Sequence, residues 1–253
     1  METQGLRTIV VGGASGMARA TATLLAEGGA KIAIFDLPTA PGQEVADELG
    51  GHFFEVDITD EMGVETAVQN AADALGGVDA GVNVAGGGIA RRTLSKNGPH
   101  PLGDFRGVLE LNLVATFNLL RLQADVMSRN EPNEHGERGV VINTASIAAY
   151  EGQIGQVAYA AAKSGIVGMT FVAARDLGSL GIRVKAIAPS LFETGLVQQA
   201  PQEVKDALTK DAAFPKRMGR PEEYALLARG IIENPMLNGG TIRLDAGQRF
   251  MPR

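Results

Sequence analysis

The chain has 253 residues, a formal net charge of −6 and no cysteine. Its length fits one α/β domain or two small ones and allows a sizeable core. The missing thiols exclude a disulfide framework and a thiolate metal centre, and an acidic balance without a long basic run lacks the footprint of a nucleic-acid binder.

In chain order, apolar runs near residues 6–11, 31–35, 52–56, 79–84, 139–144, 182–188 and 240–244 predict strands covered on both faces, with helices between them. No shift in composition divides the chain, so 1–253 reads as a single domain. Parallel strands need right-handed crossovers, which predicts a doubly wound α/β fold: a seven-stranded parallel sheet flanked by helices, with ligand sites at the carboxyl ends of the strands. Gly12, Asp36, Asp57, Asn83 and Ser146 all fall at such ends. No window is read as reaching the roughly 18 apolar residues of a membrane span. The first strand follows almost directly on METQG, so no signal or transit peptide is expected and the protein is expected to be cytoplasmic.

The stretch RTIVVGGASGMARATATLLAEGGAKIAIFDLP runs strand, glycine turn, helix, strand and terminal acid. Glycines let a backbone approach a pyrophosphate, the opening helix offers free N–H groups, and Asp36 can accept from a ribose diol; this pattern predicts a dinucleotide site. A carboxylate there welcomes two hydroxyls and repels a 2′-phosphate. No arginine adjoins Asp36 to compensate, so the cofactor expected is NAD.

The glycine-rich segment from Gly86 to Gly103 is too long for a simple turn and is expected to border a substrate. Its Arg91, Arg92 and Lys96 can meet an anionic ligand or form a solvated rim. The polar loop from Asn130 carries no assigned chemistry. Downstream, Tyr159 and Lys163 stand one helical turn apart in YAAAK, with Ser146 before them in INTAS. A cation beside a phenol favours the phenolate, and a serine hydroxyl can hold a substrate oxygen, which suggests proton transfer coupled to oxidation of an alcohol or reduction of a ketone. Gln153 and Gln156 flank this segment; Gln153 is a candidate substrate contact. The stretch from Ser190 to Phe214 reads as a lid. His52, His100 and His135 lack ligand spacing, so no metal is expected, and Ser146 lacks the GxSxG elbow of a serine hydrolase.

Over essentially its whole length the chain resembles the classical short-chain dehydrogenases/reductases, whose fold is Rossmann-type. The family's TGxxxGxG turn appears as Val11-Gly12 through Gly16-Met17-Ala18, together with Ser15; its adenine-contacting acid as Asp57-Ile58; and its NNAG stretch as Asn83-Val84-Ala85-Gly86. The resemblance assigns Asn112, Ser146, Tyr159 and Lys163 to a catalytic tetrad. It also implies cofactor contacts from Tyr159, Lys163, Pro189 and Thr194, with Thr194 holding a carboxamide. It implies that the helix around Asn112 is locally distorted and that Lys163 also contacts the nicotinamide ribose. Val11, Ala18 and Ser190 depart from the family pattern; the Ala18 methyl is expected at most to weaken or shift cofactor binding.

Segments outside these motifs, DLP at 36–38, RGVVINTASIAAYEGQIGQVAYAAAKSGIVGMT at 138–170 and IIENPMLNGGTIRLDAGQRFMP at 231–252, resemble the short-chain 3-hydroxyacyl-CoA dehydrogenase branch. That implies a small-molecule substrate, an acyl-CoA, with a hydroxysteroid as the alternative. A catalytically silent cofactor-binding subunit is a further reading, against which the intact tetrad argues. The apolar tail residues Phe250 and Met251 would fray on an isolated domain, and the resemblance implies a homotetramer with C-termini near two-fold axes.

Overall fold

The computed structural model describes residues 1–195 and 200–252. Strand β1 (Arg7–Val11) sends Ile9 and Val11 into one apolar cluster and Val10 into another, as a strand covered on both faces must. The same holds for β2 (Lys31–Asp36), β7 (Gly139–Thr144) and β8 (Ile182–Pro189), while β4 (Ala80–Asn83) sends Ala80 and Val82 into the second cluster and meets Gln123 on its other face. With β3 (His52–Glu55) and β9 (Thr241–Leu244) they form, among the described residues, one parallel sheet of seven strands in the order β3-β2-β1-β4-β7-β8-β9. The predicted fold class and strand positions stand.

One face carries α3 (Glu61–Leu75), α5 (Ala115–Met127) and α7 (Val157–Gly178). The other carries α1 (Gly16–Glu27), α2 (Gly42–Leu49) and, near the C-terminus, α9 (Pro221–Glu233). The chain winds outward through β2 and β3, then returns to place β4 beside β1. The strand order therefore reverses between these two, where a crevice opens at their carboxyl ends. Register aligns Val11 with both Phe35 and Asn83, and Asn83 with Asn143, so the residues that follow these strands lie along one edge.

Two features differ from the sequence reading. The Gly86–Gly103 segment contains a small antiparallel hairpin, β5 (Leu94–Ser95) with β6 (Gly98–Pro99), turned by Lys96-Asn97. It leads into α4 (Leu102–Leu109), which joins α5 through a π-helical turn, Glu110–Val114. Helix α7, moreover, is long and apolar enough by length and composition to cross a membrane, with a hydropathy of 1.4. Lys163 breaks its apolar run, while abundant alanine keeps the average high. Ala162, Ile166 and Ala174 of this helix are buried against the sheet layer.

The predicted lid contains α8 (Gln202–Thr209), and its residues 196–199 lie outside the described part of the chain. The C-terminal tail finds partners within its own chain. Ile154 N–H donates to the Pro252 carbonyl at 3.0 Å, and Gln153 Nε2 donates to that of Met251 at 3.4 Å. Upstream of the tail, Arg243 grips Glu151 through two nitrogens at 2.7 and 3.0 Å. The short helix α6 (Ala148–Glu151), which follows Ser146, is thereby tied to the end of β9.

Candidate active site

A cleft of ≈ 620 Å³ opens over the carboxyl ends of β1, β2 and β4. Gly12, Ser15, Gly16, Met17, Asp36, Asp57, Ile58, Ala85, Gly86 and Thr194 line it, all expected from the sequence. Phe35, Leu37, Val56, Thr59 and Leu111 line it too and were not foreseen. Leu37 and Val56 each follow a strand's last residue by one position and Phe35 precedes one, so strand direction was the available signal for these three. Gly12 has φ +81, and a Cβ there would lie 3.2 Å from the Ala85 backbone nitrogen; the cradle closes only around a glycine.

Helix α1 opens onto this cleft with no acidic side chain in its first turn, leaving its N-terminal dipole free to meet an anion. Asp36 is held by two backbone donors, Ala14 N–H at 3.0 Å and Leu37 N–H at 2.9 Å, which fix its carboxylate between the glycine turn and the cleft. The Thr59 hydroxyl and amide, at 2.7 and 2.9 Å, hold the Asp57 carboxyl below its ordinary range. Ala18 is buried in the core beneath α1 and also borders the cleft. A glycine cradle, a helix terminus and a fixed carboxylate together fit a dinucleotide.

Two expected cofactor contacts sit elsewhere. The Asn83 amide is buried in a cluster with Gln123 and Asn143, at 2.9–3.1 Å, and is spent on joining β4, β7 and α5. Pro189 is buried at the end of β8, where its carbonyl accepts from Ile147 N–H at 3.0 Å and fixes the backbone just after Ser146.

The catalytic candidates do converge. Lys163 is fully buried, donates to the Thr144 carbonyl at 2.8 Å and lies 5.5 Å from the Tyr159 ring centroid. Burial lowers its pKa to about 8. Burial pushes the Tyr159 phenol up, and a hydrogen bond with Ser146 partly offsets this. The phenol is therefore not brought down toward the working range as expected: burial outweighs the influences that lower it, among them an ammonium that is turned to a carbonyl. Ser146 Oγ also accepts from Ala148 N–H at 3.1 Å, which orients it at the start of α6.

Asn112 sits on the π-helical turn, as the resemblance implied; such bulges recur at functional sites. Its Nδ2 donates to the Gly87 carbonyl at 2.6 Å and to Val108 at 2.9 Å, while its Oδ1 accepts from Gly87 N–H at 3.2 Å. A Cβ on Gly86 would lie 2.6 Å from Asn112 Oδ1 and 3.4 Å from Lys163 Nζ. Loop, asparagine and lysine thus share one tight contact that only glycine permits.

A recess of ≈ 260 Å³ lies beside the Tyr159 ring, lined by Gly87, Gly88, Ile89, Ala90 and Gln156. Gln156 faces the site. Gln153, the expected substrate contact, instead turns toward the C-terminal tail. Arg91 pairs with Asp104 at 2.7 Å; Arg92 is exposed in a separate pocket with Gln153 and Phe250, and Lys96 is exposed at the turn of the hairpin. No cluster of metal-ligating side chains occurs among the described residues.

Residues 7–205 match the family described as "short chain dehydrogenase". The chain is 50% identical over 249 residues to the 3-hydroxyacyl-CoA dehydrogenase type-2 of Drosophila melanogaster, covering 97% of this chain and 98% of that protein. It superposes on the crystal structure of 3-hydroxyacyl-CoA dehydrogenase type-2 from Mycobacterium avium with a TM-score of 0.94, at 41% identity and full coverage of both chains. A 7α-hydroxysteroid dehydrogenase complexed with NADH and 7-oxo glycochenodeoxycholic acid superposes with a TM-score of 0.88, at 28% identity, covering 100% of this chain and 97% of the other. With a nicotinamide-dinucleotide cleft leading to a serine, tyrosine and lysine cluster, the chain belongs to the short-chain dehydrogenase family and is an oxidoreductase.

Proposed function

We propose that the protein oxidises the hydroxyl of a 3-hydroxyacyl-CoA to the ketone with NAD. The observation that carries the reading is the convergence of Tyr159, Lys163 and Ser146 at the end of the dinucleotide cleft, beside a recess of substrate size. A bound nicotinamide dinucleotide supplies the hydride acceptor. Ser146 orients the substrate hydroxyl, and Tyr159 Oη takes its proton. Tyr159 does so as the phenolate, and Lys163, protonated at neutral pH with a pKa of about 8, places a positive charge near that phenolate before the proton arrives. Asn112 holds the Gly87 backbone and, with Gly86, stands beside Lys163, where the resemblance implies that it continues the proton path. The fixed Asp36 carboxylate supports NAD over its 2′-phosphorylated form.

The acyl-CoA assignment rests on the relatives' identity and on the cations of the Gly86–Gly103 segment, whose first residues line the recess. Arg92 and Lys96 are available to phosphates, and Arg91 becomes so if its pair with Asp104 opens. Replacing all three with alanine is expected to raise KM for acetoacetyl-CoA several-fold, more so at low salt, with kcat nearly unchanged. Efficient turnover of a hydroxysteroid with no reduction of acetoacetyl-CoA would favour the steroid reading.

We also propose a homotetramer. Its support is apolar surface on neighbouring helices: Phe117 of α5 and Phe171 and Val172 of α7 are about half exposed, and closed symmetric assembly is the common way to cover such faces. Light scattering is expected to report four copies, and a monomer at micromolar concentration would refute it.

A further inference from the structure

Tyr224 is a fully buried phenol on α9, in the layer opposite α7, and the mechanism above makes no use of it. Its hydroxyl lies 2.7 Å from Thr144 Oγ1. Thr144 Oγ1 donates its own proton to the Asn83 carbonyl at 2.7 Å, so at this contact the tyrosine is the donor and the threonine the acceptor. The same residue's main-chain carbonyl is the one that receives Lys163 Nζ at 2.8 Å. Thr144 also ends β7, two residues before Ser146.

A continuous chain therefore runs from α9 to the catalytic cluster: Tyr224 hydroxyl, Thr144 hydroxyl, Thr144 carbonyl, Lys163 ammonium. We propose that Tyr224 is a positioning residue that, by clamping the end of β7 from the opposite side of the sheet, fixes where the Lys163 charge stands relative to Tyr159. The proposal rests on the alcohol-oxidation reading, yet it concerns the placement of a charge that can be read without turnover.

The physical need is plain. A buried ammonium follows whatever carbonyl satisfies it. Thr144 is paired in the strand ladder with Ile187 of β8, whereas the ladder to β4 stops one residue earlier, at Asn83 with Asn143. At the strand terminus that ladder ends, and a side-chain clamp takes over. Tyr159 is faced by Ser146 and by Lys163, and uncharged backbone at Gly88 covers its ring; Lys163 is faced by the Thr144 carbonyl and by Asn112 across Gly86. No carboxylate among the described residues stands in these contacts to compensate for a displaced ammonium.

The chain has three tyrosines, Tyr150, Tyr159 and Tyr224, and no tryptophan, so phenolate absorbance comes from three groups, of which Tyr150 is exposed, and the difference from Tyr159→Phe isolates Tyr159. Tyr224→Phe retains the ring and removes the hydroxyl. The expected result is an upward shift of the Tyr159 titration by roughly half a unit or more, as the nearby positive charge disperses. Alongside it, kcat should fall roughly three- to tenfold, with KM within about twofold. Thr144→Val should reproduce both effects, Thr144→Ser should restore them, and Tyr224→Phe with Thr144→Val should be no worse than the more severe single variant. Tyr159→Phe identifies the titrating band. A folded Tyr224→Phe with a lower Tm but an unmoved Tyr159 titration would overturn the proposal. Absence of turnover in the parent, with the titration shift present, would instead count against the alcohol-oxidation reading alone.

Discussion

Tyr159→Phe is expected to lower kcat by at least roughly 10²-fold while leaving dinucleotide binding intact. The substitution keeps the ring that walls the recess and removes only the oxygen that exchanges the proton. The cleft for the dinucleotide is built by β1, β2 and β4 and does not depend on that oxygen. Oxidation by the parent should rise with pH, because a base must lose its proton before it can accept one, and burial has pushed the Tyr159 phenol upward. The variant's residual activity should lose that dependence. Steady-state kinetics across pH and cofactor titration by calorimetry check both parts; activity within a few-fold of the parent would remove Tyr159 from the role.

The second large effect concerns the cofactor. Asp36 is clamped by two backbone amides and cannot swing aside to admit a phosphate. The parent should therefore prefer NAD strongly, and Asp36→Ala should narrow that preference by roughly tenfold or more, chiefly through tighter NADP binding once the repulsion is gone. Titration of both cofactors against both proteins measures it. A parent that binds NADP more tightly would overturn the assignment.

What could be read in the sequence was what local pattern controls. The strand runs are continuous and apolar because each is covered on both faces, so β8 and β7 were located within a residue or so at each end. Gly12, Gly16 and Asp36 were legible because their spacing is local to one βαβ unit. The small hairpin was missed although Asn97-Gly98 is a turn signal, since its strands are only two residues each and present no alternation.

Long-range side-chain commitments were not legible. Asn83 reads as a cofactor contact until Gln123 and Asn143 are brought beside it by α5 and β7. Gln153 and Gln156 are indistinguishable in sequence; the turn into α7 sends one to the tail and the other to the recess. The C-terminal tail reads in sequence as needing another subunit; that its carbonyls at Met251 and Pro252 are received by Gln153 and Ile154 is a long-range pairing no local pattern discloses, and Met251 is still half exposed. Tyr224 lies in a helix with no motif, and its contact with Thr144 spans the sheet edge. The direction of the Tyr159 shift likewise depends on burial that no spacing of four residues discloses.

The most direct test of the account is to mix the purified protein with 3-hydroxybutyryl-CoA and NAD and follow the absorbance of the reduced nicotinamide. The account predicts saturable formation of NADH by the parent and its near loss in Tyr159→Phe at unchanged NAD affinity. NAD binding without reduction of the cofactor by this or any other secondary alcohol would contradict it.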